Sequence, residues 1–379
     1  MSRVAVVKCK DYDEERVRDA VVKAVSLLGG IEQFVGGASN LLVKPNLLVA
    51  KKPEKAVSTH PSVLKAVLGL AKPVADKVLV GDSPGFGNLD RIAAVTGIID
   101  AVNDTGAELV HFTPSVDVAT PDCTRLKRMT LAKPAVDADA IISVPKLKTH
   151  GQMYFTGAVK NQFGCIPGLL KPQMHLRFTD RNDFATMLLD INRFLKPKLA
   201  VMDGVVGMDG MGPSGGSPKP IGVIIAGGDL TAVDVVACSI VGIDPKTVPT
   251  IAVAAEQGYG CTSLDEIEVV GDPIESVRVT DFNRVKTVID ISAFVPVPDF
   301  VRRWLRNSII PKPVFGSPAC TLCEACVEVC PAQPKAIKRG DDRIEVDYSS
   351  CIRCYCCHEM CPQKAIELRA GVLGRLLNR

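Results

Sequence analysis

Eight cysteines form two quartets that repeat at an offset of 31 residues, and no other feature constrains this chain as tightly. The first quartet reads Cys320-x2-Cys323-x2-Cys326-x3-Cys330 and is followed by Pro331. The second reads Cys351-x2-Cys354-x2-Cys357-x3-Cys361 and is followed by Pro362. An Ala-Ile pair comes soon after each, Ala336-Ile337 and Ala365-Ile366. Three cysteines spaced by two let one loop wrap three corners of an iron–sulfur cubane. The fourth thiolate must come from elsewhere, so the halves exchange it, as in bacterial two-cluster ferredoxins. The spacing therefore predicts two [4Fe–4S] clusters. The first takes Cys320, Cys323, Cys326 and Cys361. The second takes Cys351, Cys354, Cys357 and Cys330. Zinc ribbons use pairs of CxxC, not quartets closed by Cys-Pro. Ile344–Val346, after Gly340-Asp341-Asp342, reads as the return strand of a hairpin. Cys356 is a ninth cysteine here, either a spare thiol or a ligand in a shifted register.

The remaining composition narrows the class. The chain has 379 residues, enough for a large core and a second domain. Basic and acidic residues nearly balance, 45 against 42, which gives no reason to expect a nucleic-acid partner. No apolar run is long enough for a transmembrane segment. The N-terminus reaches acidic residues too soon for a signal peptide. Fourteen cysteines in such a chain, nine of them within the last 60 residues, point to metal ligation in a reducing cytoplasm.

Residues 1–292 read as an α/β domain. Strands are expected at Val4–Val7, Leu41–Val43, Lys77–Val80, Glu108–Phe112, Ala140–Val144, Leu199–Met202 and Gly222–Ala226. Amphipathic helices are expected at Glu14–Leu28, Pro61–Ala71, Asp183–Leu195 and Thr231–Val241. Alternation of apolar strands with helices predicts a doubly wound, mostly parallel sheet. A proline-punctuated linker, 293–318, follows, with a short helix over Asp299–Ser308 in which Arg302, Arg303 and Arg306 surround Trp304. The small α+β ferredoxin domain spans 319–369, and 370–379 is a tail.

Polar clusters follow several strands, where open α/β sheets bind ligands. They are Lys44-Pro45-Asn46, Gly81-Asp82-Ser83, the run Pro145–His150, Asp203-Gly204 and Gly227-Gly228-Asp229. Lys146 to Thr179 contains no Asp or Glu but holds Lys146, Lys148, Lys160, Lys171, His150 and His175. Such a stretch, read as a loop lining a cleft, suits an anionic ligand; a solvated basic surface or a docking face for an acidic protein would read the same way. Lys146, Lys160 and Asp82 are the candidate catalytic residues. Lys44, Asn46, Lys148 and Asn161 are the candidate ligand-binding residues. Asp82, Asp203, Asp209 and Asp229 are candidates for a divalent metal, with turns and caps as the alternative. The glycine-rich run 204–217 reads as an anion cradle or a flexible lid. Cys165 reads as a buried thiol, with a reactive thiol as the alternative.

Lys44-Pro45-Asn46, Gly81-Asp82-Ser83-Pro84-Gly85 and the block Pro145–His150 with Gly157–Asn161 resemble the domain-of-unknown-function 362 family, many members of which end in a 4Fe–4S domain. The resemblance implies a cytoplasmic iron–sulfur protein of redox metabolism. Two functions follow. One is a redox enzyme, a ferredoxin-type oxidoreductase passing electrons to a small anionic substrate or cofactor in the α/β cleft. The other is a non-enzymatic redox partner or maturation factor that docks a client protein. Clusters acting only as structural staples are a third reading.

Overall fold

The computed structural model describes residues 1–85, 87–285, 308–369 and 371. The expected connector helix and its arginines lie, apart from Ser308, outside these residues. So does the tail apart from Gly371.

The first strands are β1 (Ser2–Lys8), β2 (Ala38–Pro45), β3 (Ala75–Val80) and β4 (Glu108–Leu109). A separate hairpin, β5 (Ser115–Ala119) and β6 (Arg128–Ala132), follows. Then come β7 (Ala140–Val144), β8 (Lys146–His150), β9 (Tyr154–Thr156), β10 (Leu199–Asp209), β11 (Ser217–Gly227) and β12 (Ile267–Gly271). The main sheet runs β12-β1-β11-β10-β7-β2-β3-β4, and β8 and β9 extend it from β10. Neighbours on this path are parallel except where β11 meets β1 and β10.

Strand side chains alternate between two cores. Val4, Val6, Leu42, Ala200, Met202, Val223 and Ile225 join one. Ala5, Val7, Leu41, Val43, Leu199, Val201, Ile224 and Ala226 join the other. Both faces are therefore covered, which is why the strands are apolar throughout rather than alternating. Helices Glu14–Ser26, Pro61–Ala71, Leu89–Val95 and Ile98–Thr105 cover one face. Helices Arg181–Leu195, Leu230–Ile240 and Pro249–Glu256 cover the other. Glu14–Ser26 shows how the local code works. Asp13 caps its start by accepting from Arg16 N, and Val17, Ala20, Val21, Ala24 and Val25 form a single buried stripe.

Two segments differ from expectation. Pro145–His150 reads as loop in the sequence, yet Lys146–His150 is strand β8, buried at every position. The glycine-rich run is neither a cradle nor a lid. Residues 204–209 continue β10, and residues 210–216 turn the chain into β11.

The C-terminal domain contains β13 (Lys312–Val314), β14 (Ile337–Arg339), β15 (Ile344–Val346) and β16 (Glu367–Arg369). β14 and β15 form the expected hairpin. β13 pairs with β16, so a strand assigned by sequence to the linker belongs to this domain. The internal repeat extends to the backbone. Leu322 and Glu324 in one half, and Arg353 and Tyr355 in the other, all have φ between +53° and +65°. These left-handed residues bend each cysteine loop tightly at matching places.

Candidate functional site

The site begins where β2 and β3 end. Lys44 is wholly buried, and its Nζ lies 2.8 Å from Asp82 Oδ1. Asp82 also accepts from Ser83 N at 2.9 Å and Leu47 N at 2.7 Å. Asp82 is thus a saturated counter-ion tying two loops together. Asn161 braces the same lysine, donating Nδ2 to Lys44 O (3.1 Å) and Ser143 Oγ (2.9 Å) and lying 3.3 Å from Lys44 Nζ through Oδ1. A Cβ on Gly164 would collide with both Asp82 Oδ1 and Lys44 Nζ, so only glycine fits there.

Lys146 belongs elsewhere. Its Nζ lies 2.8 Å from Asp203 Oδ2 and 2.6 Å from Tyr12 Oη. Tyr12 Oη donates to Asp203 Oδ1 at 2.9 Å, and His60 N donates to Oδ2 at the same distance. Tyr12 and His60 stack with their ring centroids 3.6 Å apart. This closed network consumes Lys146, which does not line the cavity described below, so its sequence assignment beside Lys160 does not match its place in the fold. The four aspartates do not converge either. Asp209 accepts from Asn283 N. Asp229 caps helix Leu230–Ile240, at the far end of the sheet because β11 runs against its neighbours. Among the described residues no three His, Cys, Asp or Glu side chains are grouped to share one metal ion.

The remaining candidates line a cavity of about 90 Å³ between the two domains. The α/β wall holds Asn46, Asp82, Lys148, Lys160 and Asn161, together with Lys171, His175 and Phe163. The ferredoxin wall holds Val329, Cys356, Glu359 and Met360, the last three from helix Cys356–Met360. The domains meet through further contacts. Lys364 Nζ donates to Gly216 O at 3.0 Å, and Ser214 Oγ donates to Glu359 O. The glycine-rich turn is therefore a docking element for the second domain. His150 Nδ1 accepts from Gln152 N and Met153 N, which leaves the proton on Nε2, 3.3 Å from Glu359 Oε1.

Local structure sets the lysines. Lys148 leaves β8 and donates to Asn46 Oδ1 at 2.7 Å and Val57 O at 2.8 Å. Lys160 sits in the short helix Ala158–Asn161, whose first N–H groups are received by the buried carboxylate of Asp234, at 2.6 Å from Ala158 N and 3.1 Å from Val159 N. Lys160 Nζ lies 5.5 Å from the Phe163 ring centroid. Among the described residues it has no carboxylate within ion-pair distance. Lys171 donates to Ser83 O.

Burial, with the neighbouring lysines, lowers the Lys148 ammonium to about 7. Burial also takes Lys171 to about 8 and His175 to about 3, and lowers Lys160. Glu359 is pushed up to about 7 by burial, against the pull of Lys160 and Lys148. Lys148 and Lys171 are buried and Lys160 is half-buried, an arrangement unlike a solvated basic surface.

The cysteines gather into two sets. Cys320, Cys323, Cys326 and Cys361 ring one small cavity. Cys330, Cys351, Cys354 and Cys357 ring a second. Each set draws three thiols from one half of the repeat and one from the other, and Ala365 N donates to Cys361 Sγ at 3.3 Å. The thiols surround a space rather than meeting at a point, which suits a polynuclear centre. Cys356 faces the interdomain cavity instead; its counterpart in the first half is Ala325. Cys165 is wholly buried, and burial lifts its thiol to about 12, so it is an inert core residue. All fourteen cysteines are free of disulfides.

Sequence reasoning placed Lys171 and His175 in the acid-free stretch without singling them out as site residues, and did not single out Phe163 of the same stretch. It also missed Glu359 and Met360, which carry no signal until the domains dock.

An α/β sheet with lysines at its strand ends, closed by a cysteine-rich ferredoxin-type domain, defines an iron–sulfur protein. Residues 312–362 match the 4Fe–4S dicluster domain. Residues 41–239 match the family described as domain of unknown function (DUF362), and the chain belongs to that family. A thylakoid-associated protein of Synechocystis sp. is 33% identical over 275 residues, 72% of this chain and 85% of that protein. The lactate racemase apoprotein of Thermoanaerobacterium thermosaccharolyticum aligns at 14% identity with a TM-score of 0.41, over 61% of this chain and 55% of that one, a likeness too low to bear on chemistry. No helix among the described residues is long and apolar enough to cross a membrane.

Proposed function

We propose that this chain is a cytoplasmic redox enzyme in which electrons pass from two [4Fe–4S] clusters to an anionic ligand in the interdomain cavity. One cluster is held by Cys320, Cys323, Cys326 and Cys361, the other by Cys330, Cys351, Cys354 and Cys357. Such clusters, when bound, take up and release one electron each.

The observation that carries this reading is the composition of the cavity walls: lysines on one side and helix Cys356–Met360 on the other. Cys354 of the second set packs against the cavity-lining Leu48, Val329, Cys356 and Met360, so the second ligand set is the one beside the cavity. Cys323 of the first set is exposed, which suits entry of electrons from a redox partner there. Lys148 and Lys160 hold the ligand's negative charge, Asn161 and Lys44 keep that wall in place, and Phe163 and Met360 exclude water. The free thiols suit a reducing compartment.

Anaerobic electron paramagnetic resonance on dithionite-reduced protein tests the proposal. Signals of reduced 4Fe–4S clusters are expected in wild type and in Lys160→Ala, with ligand retention lost in the variant alone. A protein with no reducible cluster would contradict the electron-transfer role. Unchanged ligand retention in Lys160→Ala would contradict the cavity assignment.

A further inference from the structure

We propose that the ligand of the interdomain cavity is a small dicarboxylate, an inference that rests on the cavity assignment above. Three ammonium groups line the space, those of Lys148, Lys160 and Lys171, while Glu359 supplies one carboxylate and Asp82 is already matched by Lys44. A bound anion favours the protonated form of each lysine, and with Glu359 ionised the charge then left unbalanced is that of a dianion.

The lysines also have unused hydrogen-bond capacity. An ammonium carries three N–H donors. Lys148 spends two on Asn46 and Val57, and Lys171 spends one on Ser83. Lys160 spends none within hydrogen-bond distance of a described acceptor. One further polar atom here, His175 Nδ1, is buried without a hydrogen-bond partner among the described residues, and as an N–H it can donate to a bound carboxylate. Buried polar groups are rarely left so, and a bound carboxylate would satisfy this one.

Size and wall chemistry select among dianions. A volume of about 90 Å³, at roughly 10–15 Å³ per water position, corresponds to roughly six to nine such positions. That suits a dicarboxylate of four or five carbons and is too small to enclose a nucleotide or flavin. The donors come from three elements, β8, helix Ala158–Asn161 and helix Lys171–Arg177, and the same cavity carries apolar Leu47, Leu48, Phe163 and Met360, with Lys160 Nζ and Lys171 Nζ 5.5 and 6.0 Å from the Phe163 ring centroid. Cations from three elements with an aromatic ring beside two of them fit two anionic groups on a carbon frame. A compact phosphate would leave part of the set unmatched.

Isothermal titration of the anaerobically purified holoprotein with succinate, inorganic phosphate and AMP tests this. Succinate is expected to bind at least ten times more tightly than either of the others, and Lys160→Gln to weaken it at least tenfold. Phosphate or AMP equalling succinate, or no succinate binding at all, would overturn the proposal. The wild-type comparison depends on no variant. Lys171→Gln, expected to weaken succinate as well, provides a second check if Lys160→Gln fails to fold. Electron paramagnetic resonance on the same samples keeps the two proposals apart: reducible clusters with no dicarboxylate binding would overturn only this one.

Discussion

Two glycine-to-alanine substitutions should move stability in opposite directions, because their surroundings differ. At Gly164 an added Cβ would enter the space of Asp82 Oδ1 and Lys44 Nζ, which lie 2.8 Å apart with both side chains almost wholly buried. Neither partner has solvent to retreat into, and Gly164 O is held by Ser83 N at 3.2 Å. The pair must separate, and breaking a buried ion pair costs about 3–5 kcal/mol because each charge stays desolvated. Restricting the unfolded chain returns about 0.4–1 kcal/mol. The net loss for Gly164→Ala is therefore about 2–4 kcal/mol, a large part of the ~5–15 kcal/mol that holds a domain together. Gly69, an exposed glycine within helix Pro61–Ala71, has nothing within 4 Å of the point where a Cβ would sit. Gly69→Ala should stabilise by about 0.5–1 kcal/mol, the helix-propensity difference. Urea unfolding followed by circular dichroism measures both. A Gly164→Ala protein within about 1 kcal/mol of wild type would refute the reading of Lys44–Asp82 as a tight, buried pair.

Other consequences can be checked singly. The Lys148 and Lys171 ammoniums lie near 7 and 8 when folded but at the ordinary lysine value when unfolded, so between these limits the unfolded chain binds more protons. Stability should accordingly rise as pH climbs from about 7 toward 10, and Lys148→Met should flatten that rise in pH-dependent urea titrations; an unchanged slope would contradict the burial argument. Asp203→Asn should destabilise by about 3–5 kcal/mol, since Lys146 is left as a buried charge, yet leave succinate affinity in the folded protein within twofold (roughly) of wild type; a much larger loss would return Lys146 to the site. Cys354→Ala should lower iron content by about half and spare one cluster signal, whereas Cys356→Ala should leave iron content unchanged; iron analysis and electron paramagnetic resonance distinguish them.

The cysteine ligand sets and the two-faced sheet were legible because each rests on a short-range rule, a spacing for the first and an apolar period for the second. Lys44, Asp82 and Lys148 were legible as strand-end polar groups, Lys160 as part of the acid-free stretch and Asn161 as part of the block that carries the family resemblance. What could not be read was direction. Lys146 and Lys148 are two residues apart on one strand, yet one ends in the Asp203–Tyr12 network and the other beside the cavity. Asp229 looked like a strand-end residue of the same kind, but β11 is reversed, and reversal is a matter of sheet order. Glu359, Met360 and Cys356 enter the site only through docking of the second domain, a contact some 200 residues away in sequence from Lys148 and Lys160. In the sequence Cys356 reads as a spare thiol or a ligand in a shifted register, and only the docked structure shows it lining the cavity with the lysines.

The central claim is that the second cysteine set and the lysine cavity form one electron-transfer unit. A redox titration by electron paramagnetic resonance, with and without saturating succinate, tests it most directly. A dianion beside one cluster makes adding an electron there harder, by Coulomb repulsion on the order of tens of millivolts, and acts less on the cluster farther away. The account predicts that one midpoint potential falls while the other moves less, and that Cys354→Ala removes the signal that shifted most. Two potentials that do not move, or that move equally, would contradict it.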